Sequence, residues 1–272
     1  MPSGKVNGAE IYYEEAGSGP PIILSAGGLQ GTLAGYGPVM EALSQEHRVI
    51  SYDRRFGGQS SSPLVVQTWD MVCQDVMGLM DVLGIEAAYL GGGSFGAAIS
   101  LGCALRFPER VRAIFPSNIA GGVICDSYLA MKLFKSADMA LNTGIKSAVD
   151  AFDADDRFSP FTPERAQNDP EYRKNLEHMD PQDFAQVMRD TIYALFEGPY
   201  LSLGMTEKAL KGIHTPTIIM PGNNDIHPRG VAQQVHRLIP NCRWAEVAPH
   251  SEAPEEYVHR VVDFLAEVEA GF

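Results

Sequence analysis

A serine flanked by glycines lies between an apolar run and an alanine-rich run, in residues 88–98 (AYLGGGSFGAA). The first run is typical of a buried strand and the second of a helix, so we expect Ser94 on a sharp strand-to-helix turn. Gly92, Gly93 and Gly96 suit such a turn, because side chains there would collide with the neighbouring strand or helix. The turn would present a hydroxyl group for nucleophilic attack. The plainer alternative is a glycine-rich βα turn, including one that binds phosphate.

A nucleophilic serine needs a histidine to remove its proton and an acid to hold that histidine in one tautomer. In a parallel α/β sheet, such groups gather at the carboxyl ends of the strands. Asp225 follows a strand predicted at residues 215–221, and His250 follows a strand predicted at residues 242–247. The order Ser94, Asp225, His250 is the order expected of this architecture. We therefore predict that these three residues form a catalytic triad.

The other six histidines are weaker candidates for the base. His227 shares a short loop with Asp225, where it would line the rim of a pocket or contact the turn, and His47 precedes a strand at its amino end. The remaining four lie in an insertion, before a strand or on helices: His178, His214, His236 and His259. Asn118 follows another strand but cannot carry the charge of the acid, which favours Asp225.

Attack on a carbonyl builds negative charge on its oxygen, and each backbone N–H aimed at that oxygen contributes about 2.7 to 4 kcal/mol. The N–H of Phe95, directly after the serine, is the first expected donor. The second is expected in residues 26–29 (AGGL), where glycines let the backbone approach a ligand closely. We choose Gly28, with Gly27 and Leu29 as alternatives. The plainer interpretation of these residues is an ordinary βα loop.

Strand-like and helix-like segments alternate in the first 115 residues, after a hairpin with Asn7 and Gly8 in its turn. Residues 120–212 contain helix-like pieces broken by prolines, and the strand pattern then returns. We predict an α/β fold with a mostly parallel central sheet, helices on both of its faces and a helical lid inserted after the sixth strand. Residues 1–119 and 213–272 would form the core domain, and residues 120–212 the lid.

Charge and composition exclude several classes of protein. The chain has 272 residues, 45% of them hydrophobic, and a net charge of −13, which argues against binding to nucleic acid or to an anionic membrane surface. The four cysteines have neither zinc-ligand nor disulfide-framework spacing. No signal peptide or membrane span is visible. We expect a cytoplasmic protein that acts on a small molecule without metal or cofactor, with a homodimer possible.

Together these residues give the chain a resemblance to the α/β-hydrolase fold superfamily, in its serine-nucleophile branch. The resembling motifs are residues 92–96 (GGSFG), 53–60 (DRRFGGQS) and 222–228 (GNNDIHP), with Pro249-His250 before the last helix. Members commonly carry His where this chain has Ala26 and Gly where it has Phe56 or Pro249. A serine nucleophile excludes the haloalkane dehalogenase and epoxide hydrolase branches, which use an aspartate.

The resemblance implies an esterase, a lactonase or a carbon–carbon bond hydrolase. We favour hydrolysis of an ester or lactone of a small, mostly apolar substrate through an acyl-enzyme. The alternatives are cleavage of a carbon–carbon bond in a diketone-like substrate by the same triad, and a hydrolase-fold ligand-binding protein with negligible turnover. The residues predicted to contact the substrate are Leu29, Phe134, Tyr193, Phe196 and His227. Arg54 and Arg55 have two interpretations, contact with an acidic group or pairing with nearby acids. We favour the second, since surface arginines usually serve solvation and weak pairing.

Overall fold

The fold is that of a computed structural model, which describes residues 2–33, 36–153, 156, 159–248 and 252–271. Its centre is a sheet in which eight strands have the order β1-β2-β4-β3-β5-β6-β7-β8. The strands are β1 (Ser3–Val6), β2 (Ala9–Ala16), β3 (Pro21–Ser25), β4 (Arg48–Tyr52), β5 (Ala88–Gly93), β6 (Val111–Ser117), β7 (Thr217–Ile219) and β8 (Cys242–Trp244).

Helices connect the strands and cover the sheet. They are α1 (Gly37–Leu43), α2 (Trp69–Val82), α3 (Phe95–Arg106), α4 (Gly122–Thr143), α5 (Ile145–Asp150), α6 (Pro163–Asn168), α7 (Pro170–Glu177), α8 (Pro181–Phe196), α9 (Glu207–Lys211), α10 (Arg229–Leu238) and α11 (Pro254–Glu269). Elements α4 to α9 lie between β6 and β7, which is the position predicted for the lid.

The predicted hairpin and the mostly parallel sheet are confirmed. Strands β1 and β2 pair antiparallel, with Asn7 at φ 47° and Gly8 at φ 75° in the turn between them. Strand β2 also pairs antiparallel with β4, whereas every pairing from β4 across the sheet to β8 is parallel. Because β3 lies between β4 and β5, the loop that follows β3 lies beside both the loop after β4 and the Ser94 turn.

Apolar side chains of the sheet alternate between two packed layers. Ile23 in β3 belongs to the layer that includes α2 and α3, whereas Ile22 and Leu24 belong to the layer that includes α1 and α11. All three side chains are fully buried. A strand that buries both faces reads as a continuous apolar run, which is why this segment could be recognised in the sequence.

Prolines organise the helices between β6 and β7. Pro163, Pro170 and Pro181 occupy the first position of α6, α7 and α8, where the missing N–H of proline leaves no donor unsatisfied. The side chains of Asp169 and Asp180 accept hydrogen bonds from the first turns of α7 and α8. These three prolines, which interrupt the helical pattern in the sequence, are therefore helix starts.

The last two strands are shorter than predicted. Residues 215–221 and 242–247 were expected to be extended, but β7 covers only Thr217–Ile219 and β8 only Cys242–Trp244. Pro216 and Pro221 flank β7 and have no N–H to give to a neighbouring strand. The chain still stays aligned beyond the strand ends, since the N–H of Ala245 donates to the carbonyl of Ile219 over 3.0 Å.

The two arginines after β4 are buried, so the expected surface location is wrong, although the expected pairing with a nearby acid holds for Arg55. Arg54 and Arg55 are each only 3% exposed. Arg55 makes a two-pronged ion pair with Asp75 of α2, with Nε at 2.6 Å from Oδ2 and Nη2 at 2.7 Å from Oδ1. This pair joins the loop after β4 to the helix beneath it. Among the described residues no carboxylate forms such a pair with Arg54, which contacts the loop after β3 instead.

Substitution Asp75→Asn is expected to lower the free energy of unfolding by about 3–5 kcal/mol, because it leaves the buried Arg55 charge uncompensated. Urea denaturation measures the loss. The matched control is Asp81→Asn, which removes the partner of Arg110 in a pair where the carboxylate is 65% exposed and should change stability by no more than about 1 kcal/mol. Equal effects of both substitutions would contradict the structural role of the Arg55 pair.

Candidate active site

Ser94 lies between β5 and α3 in a strained backbone conformation. Its φ of 58° and ψ of −116° are unusual for a residue with a side chain, and Ser94 is half-buried. Such a conformation costs about 1–3 kcal/mol and persists only where the surrounding structure enforces it. The structure therefore places Ser94 on the sharp strand-to-helix turn that the sequence predicts.

Close packing of the β3 carboxyl end forces this turn. The carbonyl oxygen of Ser25 occupies the space where side chains at Gly92 and Gly96 would lie, and a Cβ atom at either position would overlap it. Neither glycine requires a positive φ, so their role is close approach and not backbone freedom. The glycines on both sides of Ser94 thus let β3, β5 and α3 meet at one point.

Backbone hydrogen bonds hold the turn from two sides. The N–H of Gly93 donates to the hydroxyl oxygen of Tyr36 over 3.0 Å, and that hydroxyl lies 3.4 Å from the Ser25 carbonyl oxygen, to which it donates. The N–H of Ser94 donates to the carbonyls of Ser117 and Asn118, at 3.1 and 3.2 Å. Tyr36 is a supporting residue that the sequence analysis missed, because only a contact between segments distant in the chain identifies it.

The glycine loop after β3 passes beside the serine. A Cβ atom at Gly27 would lie 3.2 Å from the Cβ atom of Ser94, and Gly28 adopts a φ of 72°. Phe95 begins α3 and is buried. The structure therefore brings together the two segments expected to supply oxyanion donors, the residues around Gly28 and the first residue of α3.

Asp225 lies in the turn between β7 and α10, at the carboxyl end of the sheet. The side chain of Asn224 closes this turn, since its oxygen accepts hydrogen bonds from the N–H groups of Ile226 and His227 at 3.2 and 3.0 Å. The side chain of Asp225 is exposed. Its predicted partner His250 lies outside the described residues, so the pairing of acid and base stays a prediction.

The loops after β6 and β7 lie next to each other. The N–H of Asn118 donates to the Met220 carbonyl over 2.9 Å, and Ser117 and Met220 form a parallel bridge. Since Ser94 binds the Asn118 carbonyl, one hydrogen-bonded path links the serine turn to the strand end that leads to Asp225. This arrangement places Asp225 two strands away from Ser94 along the same edge of the sheet.

His227 is a neutral imidazole. Its Nδ1 lies 3.0 Å from the side-chain oxygen of Asn224, which places the proton on Nδ1. Burial lowers the pKa of His227 to about 4, because the charged form loses its hydration. The other nitrogen, Nε2, is buried without a hydrogen-bond partner among the described residues.

The other residues predicted to contact substrate lie in different environments. Leu29 is buried and Phe196 is half-buried. Phe134 on α4 and Tyr193 on α8 are 51% and 63% exposed. Their contact with substrate stays a prediction.

A cavity of about 390 Å³ lies between the loop after β4 and the helices α6 to α8. Its lining includes Phe56, Leu64, Phe161, Tyr172, Phe184 and Met188, but not Ser94.

In the part of the chain that the structure describes, no group of three or more His, Cys, Asp or Glu side chains is arranged to hold a metal ion. Among the helices of the described residues, none has the length and apolar character needed to cross a membrane.

Gly96→Ala is expected to destabilise the protein and to abolish any activity that depends on Ser94, because the added methyl group overlaps the Ser25 carbonyl. The matched control is Gly230→Ala. Both glycines are second residues of a helix, but a Cβ atom at Gly230 meets nothing within 4 Å. The control should leave activity intact and change stability by less than about 1 kcal/mol. Thermal unfolding and activity assays of both variants measure the difference, and similar losses in both would contradict the proposed packing of the turn.

His227 makes stability depend on pH. Its pKa is near 4 in the folded protein and near 6.5 when unfolded, so its contribution is complete above pH 6.5 and is lost as the pH falls towards 4. We expect a loss of about 3 kcal/mol over this range that is absent in His227→Gln. Urea denaturation at several pH values measures it. His259→Gln, which changes an exposed histidine, should retain the wild-type pH dependence; a wild-type dependence in His227→Gln would contradict the buried neutral state.

Comparison with known proteins places the chain in one fold family. The sequence model of the alpha/beta hydrolase fold family matches residues 20–243. A protein of Azorhizobium caulinodans named "Putative carbamate hydrolase RutD" is 27% identical over 283 residues, covering 99% of this chain and 100% of that protein. The 2-hydroxymuconate semialdehyde hydrolase of Pseudomonas sp. strain CF600 is 35% identical over 117 residues, covering 42% of this chain and 41% of that protein.

Solved structures show the same fold. The enol-lactonase from Burkholderia xenovorans LB400 has a TM-score of 0.70 at 24% identity, covering 97% of this chain and 100% of that one. A thermophilic esterase from Thermogutta terrifontis also has a TM-score of 0.70, at 19% identity, covering 98% of this chain and 99% of that one. The resemblance found in the sequence is confirmed: the chain belongs to the α/β hydrolase fold family.

Proposed function

We propose that the protein is a serine hydrolase that cleaves a carboxylic ester or lactone of a small, mostly apolar substrate through an acyl-enzyme. Ser94 is the nucleophile, His250 the general base and Asp225 the acid that orients His250. The N–H groups of Phe95 and Gly28 are the oxyanion donors. We further assign residues 120–212 as a lid whose side chains, with Leu29 and His227, select the substrate.

The observation that carries this proposal is the backbone of Ser94. Ser94 is half-buried and has a φ of 58°, a strained conformation, in a turn that packs between a strand and a helix against the Ser25 carbonyl. A nucleophile held at the carboxyl end of the sheet requires such a conformation, because the sharp turn exposes its hydroxyl. A phosphate site on the same turn would need the backbone N–H groups and would have no use for a strained serine.

The reaction follows from these assignments. The Ser94 hydroxyl attacks the carbonyl carbon while His250 takes its proton, and the N–H groups of Phe95 and Gly28 hold the resulting oxyanion. The tetrahedral intermediate expels the alcohol oxygen, which receives the proton from His250. Water then attacks the acyl group by the same route, releases the carboxylic acid and restores the serine. In a lactone the alcohol and the acid leave as one molecule.

Cleavage of a carbon–carbon bond is the second candidate, and the partial match to the 2-hydroxymuconate semialdehyde hydrolase favours it. The full-length relative carries a carbamate hydrolase name, so a carbamate belongs in the substrate panel as well. All three substrate classes present a carbonyl carbon to a nucleophile. The lid would decide among them, because it encloses the part of the substrate that differs.

We predict that the protein hydrolyses p-nitrophenyl butyrate and that Ser94→Ala lowers kcat by about 10⁴-fold or more, as expected when a nucleophile that acts together with a base is removed. His250→Ala should produce a similar loss and Asp225→Asn a smaller but large one. Release of p-nitrophenol measures the rate. Ser100→Ala is the matched control, since it removes another buried hydroxyl of α3, which donates to carbonyls of its own helix.

A panel of a simple ester, a lactone, a phenyl carbamate and a diketone-like acid identifies the bond that is cleaved, with products separated by mass spectrometry. An ester or lactone should give the highest kcat/KM. Full activity in Ser94→Ala and His250→Ala would refute the triad. Binding of these compounds without turnover in the wild-type protein would instead indicate a ligand-binding protein.

A further inference from the structure

Arg54 gathers the carbonyl groups of the loop after β3 around its side chain. Its Nη2 donates to the carbonyl of Leu29 over 3.2 Å and to the carbonyl of Gly28 in a shorter contact. Its backbone N–H donates to the carbonyl of Gly31 over 2.9 Å. A Cβ atom at Gly31 would overlap the Arg54 guanidinium, so a residue without a side chain is needed there. The loop is therefore built around this cation.

The charge of Arg54 has no carboxylate to neutralise it within the described residues. The nearby carboxylate of Asp75 uses both oxygens for Arg55. Burial lowers the pKa of Arg54 only to about 10, so the guanidinium stays charged at neutral pH. Its Nε and Nη1 are buried without hydrogen-bond partners among the described residues. An unpaired buried cation is costly, and a purely structural contact would be made more cheaply by an apolar side chain.

The guanidinium also contacts the second segment expected to stabilise an oxyanion. Its central carbon lies 4.2 Å from the centre of the Phe95 ring, a cation–π contact. Phe95 also stacks on Trp69, with ring centres 4.8 Å apart. One side chain thus touches both the loop that contains Gly28 and the residue whose N–H follows the nucleophile.

The contact between Arg54 and the Gly28 carbonyl determines the direction of the next N–H in the chain, that of Leu29. In a trans peptide the C=O and N–H groups point in opposite directions, and the described residues contain no cis peptide. Because the Gly28 carbonyl faces Arg54, the N–H of Leu29 must point away from Arg54. Gly27, next to this peptide, lies against Ser94. The cation therefore fixes the orientation of the Leu29 N–H, in the loop whose Gly27 lies against the nucleophile.

We propose that Arg54 is the positioning residue of the oxyanion hole: it binds the carbonyls of Gly28 and Leu29 and contacts the Phe95 ring. It thereby orients the Leu29 N–H, the alternative donor of this loop, and holds the loop that carries the Gly28 N–H against the first residue of α3. The inference rests on the proposed serine hydrolase function. Arg54 does not touch the substrate and transfers no proton. Its effect is expected on the transition state, where the oxyanion exists, and not on substrate binding.

Three variants test this role: Arg54→Met, which keeps the length and removes the charge, Arg54→Lys, which keeps a cation, and Arg110→Met as a surface control. The assays are kcat and KM for p-nitrophenyl butyrate, and the inhibition constant of a trifluoromethyl ketone, which forms a tetrahedral oxyanion adduct with a serine. Arg54→Met should lower kcat by about 10- to 100-fold with KM changed less than about threefold. The inhibition constant should rise by the same factor as kcat/KM falls, and Arg110→Met should match the wild type.

Arg54→Lys should recover part of the lost kcat at pH 6–7 and lose it as the pH rises, because burial lowers the pKa of the introduced ammonium and removes its charge. The wild type should lack this loss, and circular dichroism at each pH shows whether the variant stays folded. If Arg54→Met does not fold, the pH dependence of kcat in Arg54→Lys is sufficient to test the positioning role of Arg54.

Different results would refute the role of Arg54 and the proposed serine hydrolase function. Wild-type hydrolysis that disappears in Ser94→Ala, together with wild-type kcat and inhibitor affinity in Arg54→Met, overturns the role of Arg54 alone. A rise in KM with unchanged kcat, or an Arg54→Lys variant without the loss at high pH, also overturns it. If the wild type shows no hydrolysis that depends on Ser94, both proposals are refuted.

Discussion

The approach of the Ser25 carbonyl to the turn around Ser94 is the constraint on which the site depends. This carbonyl fills the space that side chains at Gly92 and Gly96 would need, so the end of β3 lies directly against the start of α3. Close packing of this kind over-determines the backbone and maintains the strained φ of Ser94. The same contact places the loop after β3 beside the serine, which is a requirement for an oxyanion hole made of backbone groups.

The turn is also connected to the segment between β6 and β7. Phe95 stacks on Trp69, and the indole N–H of Trp69 donates to the Leu195 carbonyl of α8 over 3.0 Å. The neighbouring Gln67 N–H donates to the Thr191 hydroxyl of the same helix over 3.1 Å. A contiguous set of contacts therefore runs from Arg54 through two rings to α8. In the proposed function, α8 covers the substrate and the Phe95 N–H stabilises the oxyanion. Trp69 contacts both α8 and Phe95, and so supports both.

Local patterns predicted much of this structure, and contacts between distant segments supplied the rest. The Asn7-Gly8 hairpin, the parallel strands and the position of Ser94 each follow from a short stretch of sequence, because turn chemistry and apolar runs are local properties. The roles of Arg54 and Tyr36 depend on what lies opposite them in space. Burial of Arg54 was missed for this reason: two consecutive arginines suggest a surface, whereas one pairs with Asp75 and the other with backbone carbonyls.

Covalent labelling tests most directly whether the fold activates Ser94 as a nucleophile. The native protein is incubated with a fluorophosphonate, digested and mapped by mass spectrometry, with urea-unfolded protein as the control. We expect one adduct per chain on Ser94 in the native protein and none in the unfolded chain, because the hydroxyl is reactive only in the folded protein. A native protein that stays unlabelled, or an adduct on a different serine, would contradict this activation.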